Sequence, residues 1–379
     1  MEKKIGIYIH IPFCATRCGY CDFLTFSCGE SQYEPYTKAL IREINTFEEL
    51  KKYKITSIFI GGGTPTTLSP NQIERIMESL NKYNICKNAE ITIEANPGTL
   101  NLKMLRAIKN SGINRLSLGL QATQHKILKR INRSHTFDDF LENYKNARKL
   151  GFNNINIDLM FSLPGFKNFN EGFKAWVETL QIISNINPEH ISLYSLIIEE
   201  GTPFFTQYEK GILIPQTEEK DRRMYHFACN FLAKKGYNHY EISNFSKKDY
   251  ECKHNKMYWQ RGSYKGFGLG AHSFFEGSRF NNMKKLEEYI NANTILYENI
   301  NSISEKEAME EFMFLGLRLI EGINIEKFEN TFNVNIYEVY GKAIEENLKN
   351  KLLQNIDKNL SLTKSGLDIS NRVMADFLL

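Results

Sequence analysis

Tyr8-Ile-His-Ile-Pro-Phe-Cys14-Ala-Thr-Arg-Cys18-Gly-Tyr20-Cys21-Asp-Phe23 carries three cysteines spaced C-x3-C-x2-C. Structural zinc usually draws four ligands from two separated pairs, so the triplet points elsewhere. Three thiolates in one short loop can hold three corners of an iron–sulfur cube and leave the fourth iron open to a small ligand. The remaining cysteines, Cys28, Cys86, Cys229 and Cys252, are scattered and read as small core or surface residues. An odd, clustered set fits a metal site in a reducing compartment better than a disulfide framework, so a cytoplasmic location is expected. Met1-Glu-Lys-Lys and the following Ile5–Phe13 have the outline of a signal peptide. His10 and Pro12 interrupt the apolar part and no small-residue cleavage site follows, so the segment reads as a first strand.

Downstream of the triplet, β-branched runs recur: Ile5–Ile11, Ser57–Gly63, Ile91–Pro97, Arg115–Gln121, Ile155–Leu163 and His190–Leu196. Amphipathic segments separate them. The clearest opens with Ser69-Pro70-Asn71-Gln72, an N-cap with proline at the first turn and glutamine at N3. Ile73, Ile76, Met77 and Leu80 then form one helical stripe. Gly112 and Gly151 stand where helices should stop. Strand–helix units in series predict an α/β fold with a parallel sheet. Six units are too few for a closed eightfold barrel, and periodicity leaves a partial barrel and a doubly wound sheet both open.

The C-terminal ends of parallel strands carry the site in such folds. The cysteines follow the first strand, Gly61-Gly62-Gly63-Thr64 closes the second, and Glu94, Gln121 and Asp158 lie in the next three. Each alone reads as a turn glycine or a satisfied buried polar group. Together they predict one active centre on one rim. Gly61–Thr64 is neither a Walker loop nor a dinucleotide fingerprint.

The chain has 379 residues, 42% hydrophobic and 24% charged, enough for a large α/β domain plus a small one. Its mean hydropathy is −0.41 and no apolar run approaches 18 residues, so no integral membrane segment is expected, and peripheral membrane contact stays open. Neither end carries a lipidation motif. The net charge of +4 gives little support for a polyanionic partner. Residues 1–235 are expected to form the barrel and 236–303 an extension, with a helix over Glu218–Lys235 and a glycine-rich, turn-like stretch over Gly262–Gly277. Residues 304–379 are expected to form a small α+β, winged-helix-like domain. A capping box at Ser304–Glu307 starts a helix predicted to run through Ile320. Another helix is expected over Ile336–Leu353, a strand over Asn359–Thr363 and a last helix ending near Leu379. This region holds 9 basic against 13 acidic residues, which argues against nucleic acid as a partner.

The cysteine spacing, with an aromatic before the last cysteine, resembles the radical S-adenosylmethionine superfamily. Tyr8-x-His10-Ile-Pro-Phe-Cys14, Gly61-Gly-Gly-Thr64-Pro, Glu94-Ala-Asn-Pro and Asp158-Leu-Met resemble its oxygen-independent coproporphyrinogen oxidase branch. That resemblance implies a partial (β/α)6 barrel and a [4Fe-4S] cluster on Cys14, Cys18 and Cys21. It further implies S-adenosylmethionine at the open iron, whose reductive cleavage yields a 5′-deoxyadenosyl radical. The cofactor then carries the chemistry and the protein supplies position, so no catalytic side chain is assigned. By the same resemblance Tyr8, Tyr20, Gly62, Gly63, Thr64, Glu94, Gln121, Arg133 and Asp158 contact the cofactor or lie beside it.

Two departures stand out. The oxidases carry a fourth cysteine where this chain has Phe23, and their extended N-terminal segment does not precede the cysteine loop here. The string Cys252-Lys-His254-Asn255-Lys-Met-Tyr258-Trp259 is similar to the haem-associated motif of the HemW haem-chaperone family. An imidazole is a good axial ligand for haem iron, and nearby aromatic rings can cover the macrocycle. His254 is therefore expected to bind haem, with Cys252 as a second candidate. The resemblance implies a haem chaperone that passes haem to an acceptor protein and draws electrons from a flavodoxin or ferredoxin. The rival expectations are a coproporphyrinogen oxidase, a radical methylase and a carrier whose cluster is only structural.

Overall fold

The computed structural model describes residues 2–379. Its parallel strands are β1 (Lys4–Ile11), β2 (Lys54–Gly62), β3 (Ile85–Ala95), β4 (Arg115–Gln121), β5 (Ile155–Phe161) and β6 (His190–Ser195). They lie in the sheet in chain order, each parallel to the next. A doubly wound sheet reverses its order at a switch point. This one never reverses, so it is the partial barrel, open between β1 and β6.

Further strands extend both edges. β7 (Asn238–Glu241) and β8 (Asn244–Ser246) form a hairpin whose β8 pairs antiparallel with β6. β9 (Tyr264–Phe267) runs parallel to β1. It is followed outward by β10 (His272–Phe275), β11 (Ser278–Asn282) and β12 (Tyr297–Ser302), giving twelve strands in one sheet. Strands β7 to β12 thus extend the barrel sheet at both edges. The turn-like reading of Gly262–Gly277 is corrected: its glycines punctuate β9 and β10. Gly266 lets the strands approach closely, since a Cβ there would stand 2.2 Å from the His272 carbonyl oxygen.

Strand periodicity sorts the side chains. Ile5, Ile7, Ile9 and Ile11 face the helices and are at most 1% exposed, as do Ile58 and Ile60, Leu116 and Leu118, Ile155 and Ile157. The opposite parity is polar: Tyr8 and His10, Glu90 and Glu94, Arg115 and Ser117, Asn156 and Asp158, His190 and Ser192. These polar groups bond one another. Asn156 Nδ2 donates to Ser117 Oγ at 2.8 Å and to Asp158 Oδ1 at 2.8 Å, and Asn156 Oδ1 is 2.6 Å from His190 Nδ1. Within this polar interior Ser117, Asn156, Asp158 and His190 satisfy one another, whereas the buried Arg115 Nε has no hydrogen-bond partner.

The C-terminal part has its own core, centred on Met313, Leu317, Phe328, Tyr340, Ile344 and Phe377. It runs helix Glu305–Gly316, strand Ile323–Asn324, helices Ile325–Phe332 and Ile336–Lys349, then strands Leu353–Ile356 and Asn359–Leu362. That is the winged-helix order expected. Three boundaries differ from expectation. The first helix stops at Gly316 rather than Ile320, because a following turn brings Ile323 against Gly316. Leu353 belongs to a strand paired with Leu362, which ends the preceding helix at Lys349. The last helix is broken into Lys364–Asp368 and Ser370–Ala375.

Candidate active site

The cysteine loop is tied at both ends. Phe26 N–H donates to Pro12 O at 2.7 Å and Cys14 N–H to Phe26 O at 3.1 Å. Gly19 N–H donates to Ile131 O, and Phe204 N–H donates back to Gly19 O at 2.9 Å. Asn132 Nδ2 holds Arg17 O at 2.7 Å. The loop is thereby fixed over the C-terminal rim of the barrel.

The glycine turn docks on the root of this loop. Gly63 N–H donates to Ile11 O at 2.8 Å and Thr64 N–H to Phe13 O at 2.7 Å. A Cβ on Gly63 would stand 2.6 Å from Phe13 O, so close approach demands glycine. Gly62 has φ +110°, a conformation that also favours glycine. Thr64 Oγ1 lies 3.5 Å from Cys14 Sγ.

A cavity of about 410 Å³ opens beneath the loop. Its wall includes Cys14, Cys18, Cys21, Tyr20, Gly62, Gly63, Thr64, Glu94, Gln121, Arg133 and Asp158. The structure thus brings together the three cysteines and every expected cofactor contact except Tyr8, and leaves the expected haem ligands His254 and Cys252 outside. Among the described residues no three His, Cys, Asp or Glu side chains converge on a point that would hold a single ion. A cube asks for no such convergence, since each thiolate takes a different iron.

Burial dominates the electrostatics of the cavity. Burial, then the nearby Asp158, raises the Glu94 carboxyl to about 8, although Gly62 N–H donates to its Oε2 at 3.1 Å. Asp158 is also pushed up by burial, and accepts from Ser117 Oγ at 3.1 Å. Burial likewise raises the thiols of Cys14 and Cys21. The guanidinium of Arg133 is buried; its Nη2 donates to Gly119 O and its Nη1 lies 3.5 Å from Cys18 Sγ. Its buried Nε has no partner, an orphaned donor on a cavity wall. Gln121 adopts φ 70°, strained backbone at the end of β4.

Tyr8 lines a second cavity, of about 750 Å³, that shares Arg17, Asp22, Phe23, Gly62 and Glu94 with the first. The His254 motif is split three ways. His254, on helix Lys253–Trp259, is 1% exposed; its Nδ1 is 2.8 Å from Ser57 Oγ and its Nε2 2.8 Å from Tyr258 Oη. Burial, then the charge of Arg115, lowers its pKa to about 3. It reaches neither cavity. Tyr258 lines the second cavity. Trp259 lies under the Arg318 guanidinium, 4.3 Å from ring centroid to Cζ, and so faces the C-terminal part. Cys252 is fully buried beside Glu90, its thiol raised to about 12 by burial.

Sequence reasoning missed Ser117 and Tyr194, which also line the first cavity. Both share the inward parity of Asp158, their strand neighbour, so counting by twos from the polar residues of each strand would have found them.

Comparison with known proteins places these features. Residues 8–175 match the model of the Radical SAM superfamily and residues 303–369 that of the HemN C-terminal domain. The chain is 38% identical to "Heme chaperone HemW" of Lactococcus lactis subsp. lactis (strain IL1403), covering 100% of this chain and 98% of that protein. It is 34% identical to the protein of the same name from Bacillus subtilis (strain 168), covering 98% of each. Among solved structures, coproporphyrinogen III oxidase (HemN) from Escherichia coli superposes with a TM-score of 0.84 at 21% identity, over 100% of this chain and 90% of that one, a likeness of fold. The match to such relatives runs along the whole length, and the chain, with its thiol loop above the polar rim of an open six-stranded barrel, belongs to the HemW family of the radical S-adenosylmethionine superfamily.

Proposed function

We propose that this chain is a cytoplasmic haem chaperone that binds a [4Fe-4S] cluster, S-adenosylmethionine and haem, and hands haem to an acceptor protein. The observation that carries the reading is identity along the full length with proteins named haem chaperones. Phe23 in place of a fourth cysteine supports it against porphyrinogen oxidation.

The residues present fit both cofactors. Cys14, Cys18 and Cys21 would hold the cluster, and Arg17 Nη2 braces the loop by donating to Cys21 O at 3.0 Å. Arg133 offers its unpartnered Nε to an anionic group such as a carboxylate. Glu94 and Asp158 would face the cationic part of S-adenosylmethionine, whose charge stabilises their ionised forms. The backbone of Gly62 and Gly63 leaves room for close contact. Tyr20, Thr64 and Gln121 complete the wall, and Tyr8 stands on the neighbouring one. The cluster, when reduced by a flavodoxin or ferredoxin, supplies the electron that cleaves S-adenosylmethionine.

The chain divides, in this reading, into the barrel at 1–235, the extension at 236–303 and the C-terminal domain at 304–379. The test is anaerobic cluster reconstitution followed, on one sample, by haem titration and by assay of 5′-deoxyadenosine. Stoichiometric haem binding with transfer to a haem-requiring apoprotein is expected. Formation of protoporphyrinogen from coproporphyrinogen would overturn the reading.

A further inference from the structure

The expected haem ligand, His254, has both ring nitrogens engaged and no path to a cavity. His10 is equally occupied: its Nδ1 is 2.9 Å from Tyr8 Oη and its Nε2 3.0 Å from Leu24 O. A third imidazole differs. His272, at the start of β10, is exposed and lines the second cavity, and among the described residues its ring has no hydrogen-bond partner.

The second cavity suits a large planar ligand. At about 750 Å³ it lies within the ~300–1,000 Å³ range of small-molecule sites. Five tyrosine and phenylalanine rings, Tyr8, Phe23, Phe26, Tyr258 and Tyr264, stand on its walls. Aromatic faces of this kind pack well against a macrocycle. Lys284 also lines it, and among the described residues its ammonium has no hydrogen bond or ion pair. Arg17 adds a second cation from the cysteine loop. Two cations match the two propionates of a haem.

We propose that haem occupies this second cavity with His272 as axial ligand and Lys284 at a propionate, while His254 is a positioning residue that acts through Tyr258. The proposal rests on the haem-chaperone reading and supplies its binding site. It gives the His254 motif a physical role: Ser57 and His254 hold the Tyr258 hydroxyl, and Tyr258 packs edge-on against Tyr264 with ring centroids 4.6 Å apart. The wall shared through Phe23, Gly62 and Glu94 sets the haem edge beside the S-adenosylmethionine site.

Haem titration of the reconstituted full chain, read by the Soret band and by low-temperature EPR of the ferric form, tests this. His272→Ala should lose the imidazole-ligated spectrum, weaken binding about tenfold or more, and recover the spectrum on adding free imidazole. Lys284→Glu should keep the spectrum and weaken binding about tenfold, as loss of a charge-assisted contact does. His254→Gln should keep imidazole ligation and alter affinity only. Cluster iron content and far-UV circular dichroism report whether each variant is folded. An unchanged spectrum in folded His272→Ala, or loss of the imidazole signature in His254→Gln with its retention in His272→Ala, overturns the proposal. Absence of haem binding by the wild-type chain would instead sink the chaperone reading on which it stands.

Discussion

Arg133 Nη1 lies 3.5 Å from Cys18 Sγ, so a buried cation from the loop after β4 touches a thiol of the loop after β1. The contact spans 115 residues of sequence and ties the cysteine loop to the facing wall of the first cavity. A second nitrogen of the same guanidinium is engaged by Gly119 O, and Nε is free to meet a ligand. Arg133→Ala should therefore weaken S-adenosylmethionine binding by about tenfold or more while cluster iron content holds. Arg133→Lys keeps the charge but not the planar fork, and should fall between the two. Equilibrium dialysis with S-adenosylmethionine, beside iron analysis, measures both.

Glu94 carries a pH signature. Its carboxyl is raised from an ordinary value of 4.5 to about 8 by burial and by Asp158. Between those values the folded state holds a proton that the unfolded state has released, so this group's contribution to stability is present at low pH and lost as pH rises. The slope is about 1.4 kcal/mol per pH unit at its steepest. Glu94→Gln removes the titration and leaves a carbonyl to accept from Gly62 N–H. The cofactor-free variant should gain stability relative to wild type from pH 5.5 to 8, measured by denaturant midpoints across that range. A gap that does not widen with pH would contradict the assignment.

A linked expectation concerns ligand binding. A cation placed beside Glu94 favours its ionised form. S-adenosylmethionine binding near neutral pH should then release a proton from the wild type. Calorimetry in buffers of different ionisation enthalpy measures that release, which should shrink in Glu94→Gln.

The glycine turn makes a steric prediction. Gly63→Ala would push a Cβ to 2.6 Å from Phe13 O and 3.0 Å from Ile11 O, backbone atoms that carry the cysteine loop. Overpacking of this kind costs about 1–3 kcal/mol. The variant should melt lower and retain less iron after reconstitution. Gly112 is the control: its φ is +82° with nothing near a Cβ, so Gly112→Ala strains only the backbone and should leave iron content intact.

The rim was legible in the sequence because its chemistry is local. Cys14, Cys18 and Cys21 fall in one loop, and Gly62, Glu94, Gln121 and Asp158 each terminate or interrupt an apolar strand. Strand order was not legible, since β-branched runs carry no record of which neighbour they pair with. The outer strands β9 and β10 were hidden by glycines that read as turns until Gly266 is seen against the His272 carbonyl. His254 and His272 show the same limit in the site. A histidine in a recognisable string and a lone histidine in a short strand look unequal on paper. Their accessibility is decided by helix Lys253–Trp259 packing onto Ser57, a contact between residues 197 apart.

Phe23 separates this chain from the oxidases, and its surroundings say what its replacement should do. The ring is 63% exposed and borders both cavities, at the mouth rather than in the core. Phe23→Cys should then cost little stability, within about 0.5 kcal/mol, as surface changes usually do. The new thiol would restore the oxidase spacing, yet the wall behind it would still be built from Tyr8, Tyr258 and Tyr264. Product analysis with coproporphyrinogen should therefore find 5′-deoxyadenosine without protoporphyrinogen. Haem affinity should fall, because one of five aromatic faces is lost from the second cavity. Porphyrinogen oxidation by Phe23→Cys would show instead that a single side chain at the mouth, and not the shape of the second cavity, divides the two activities.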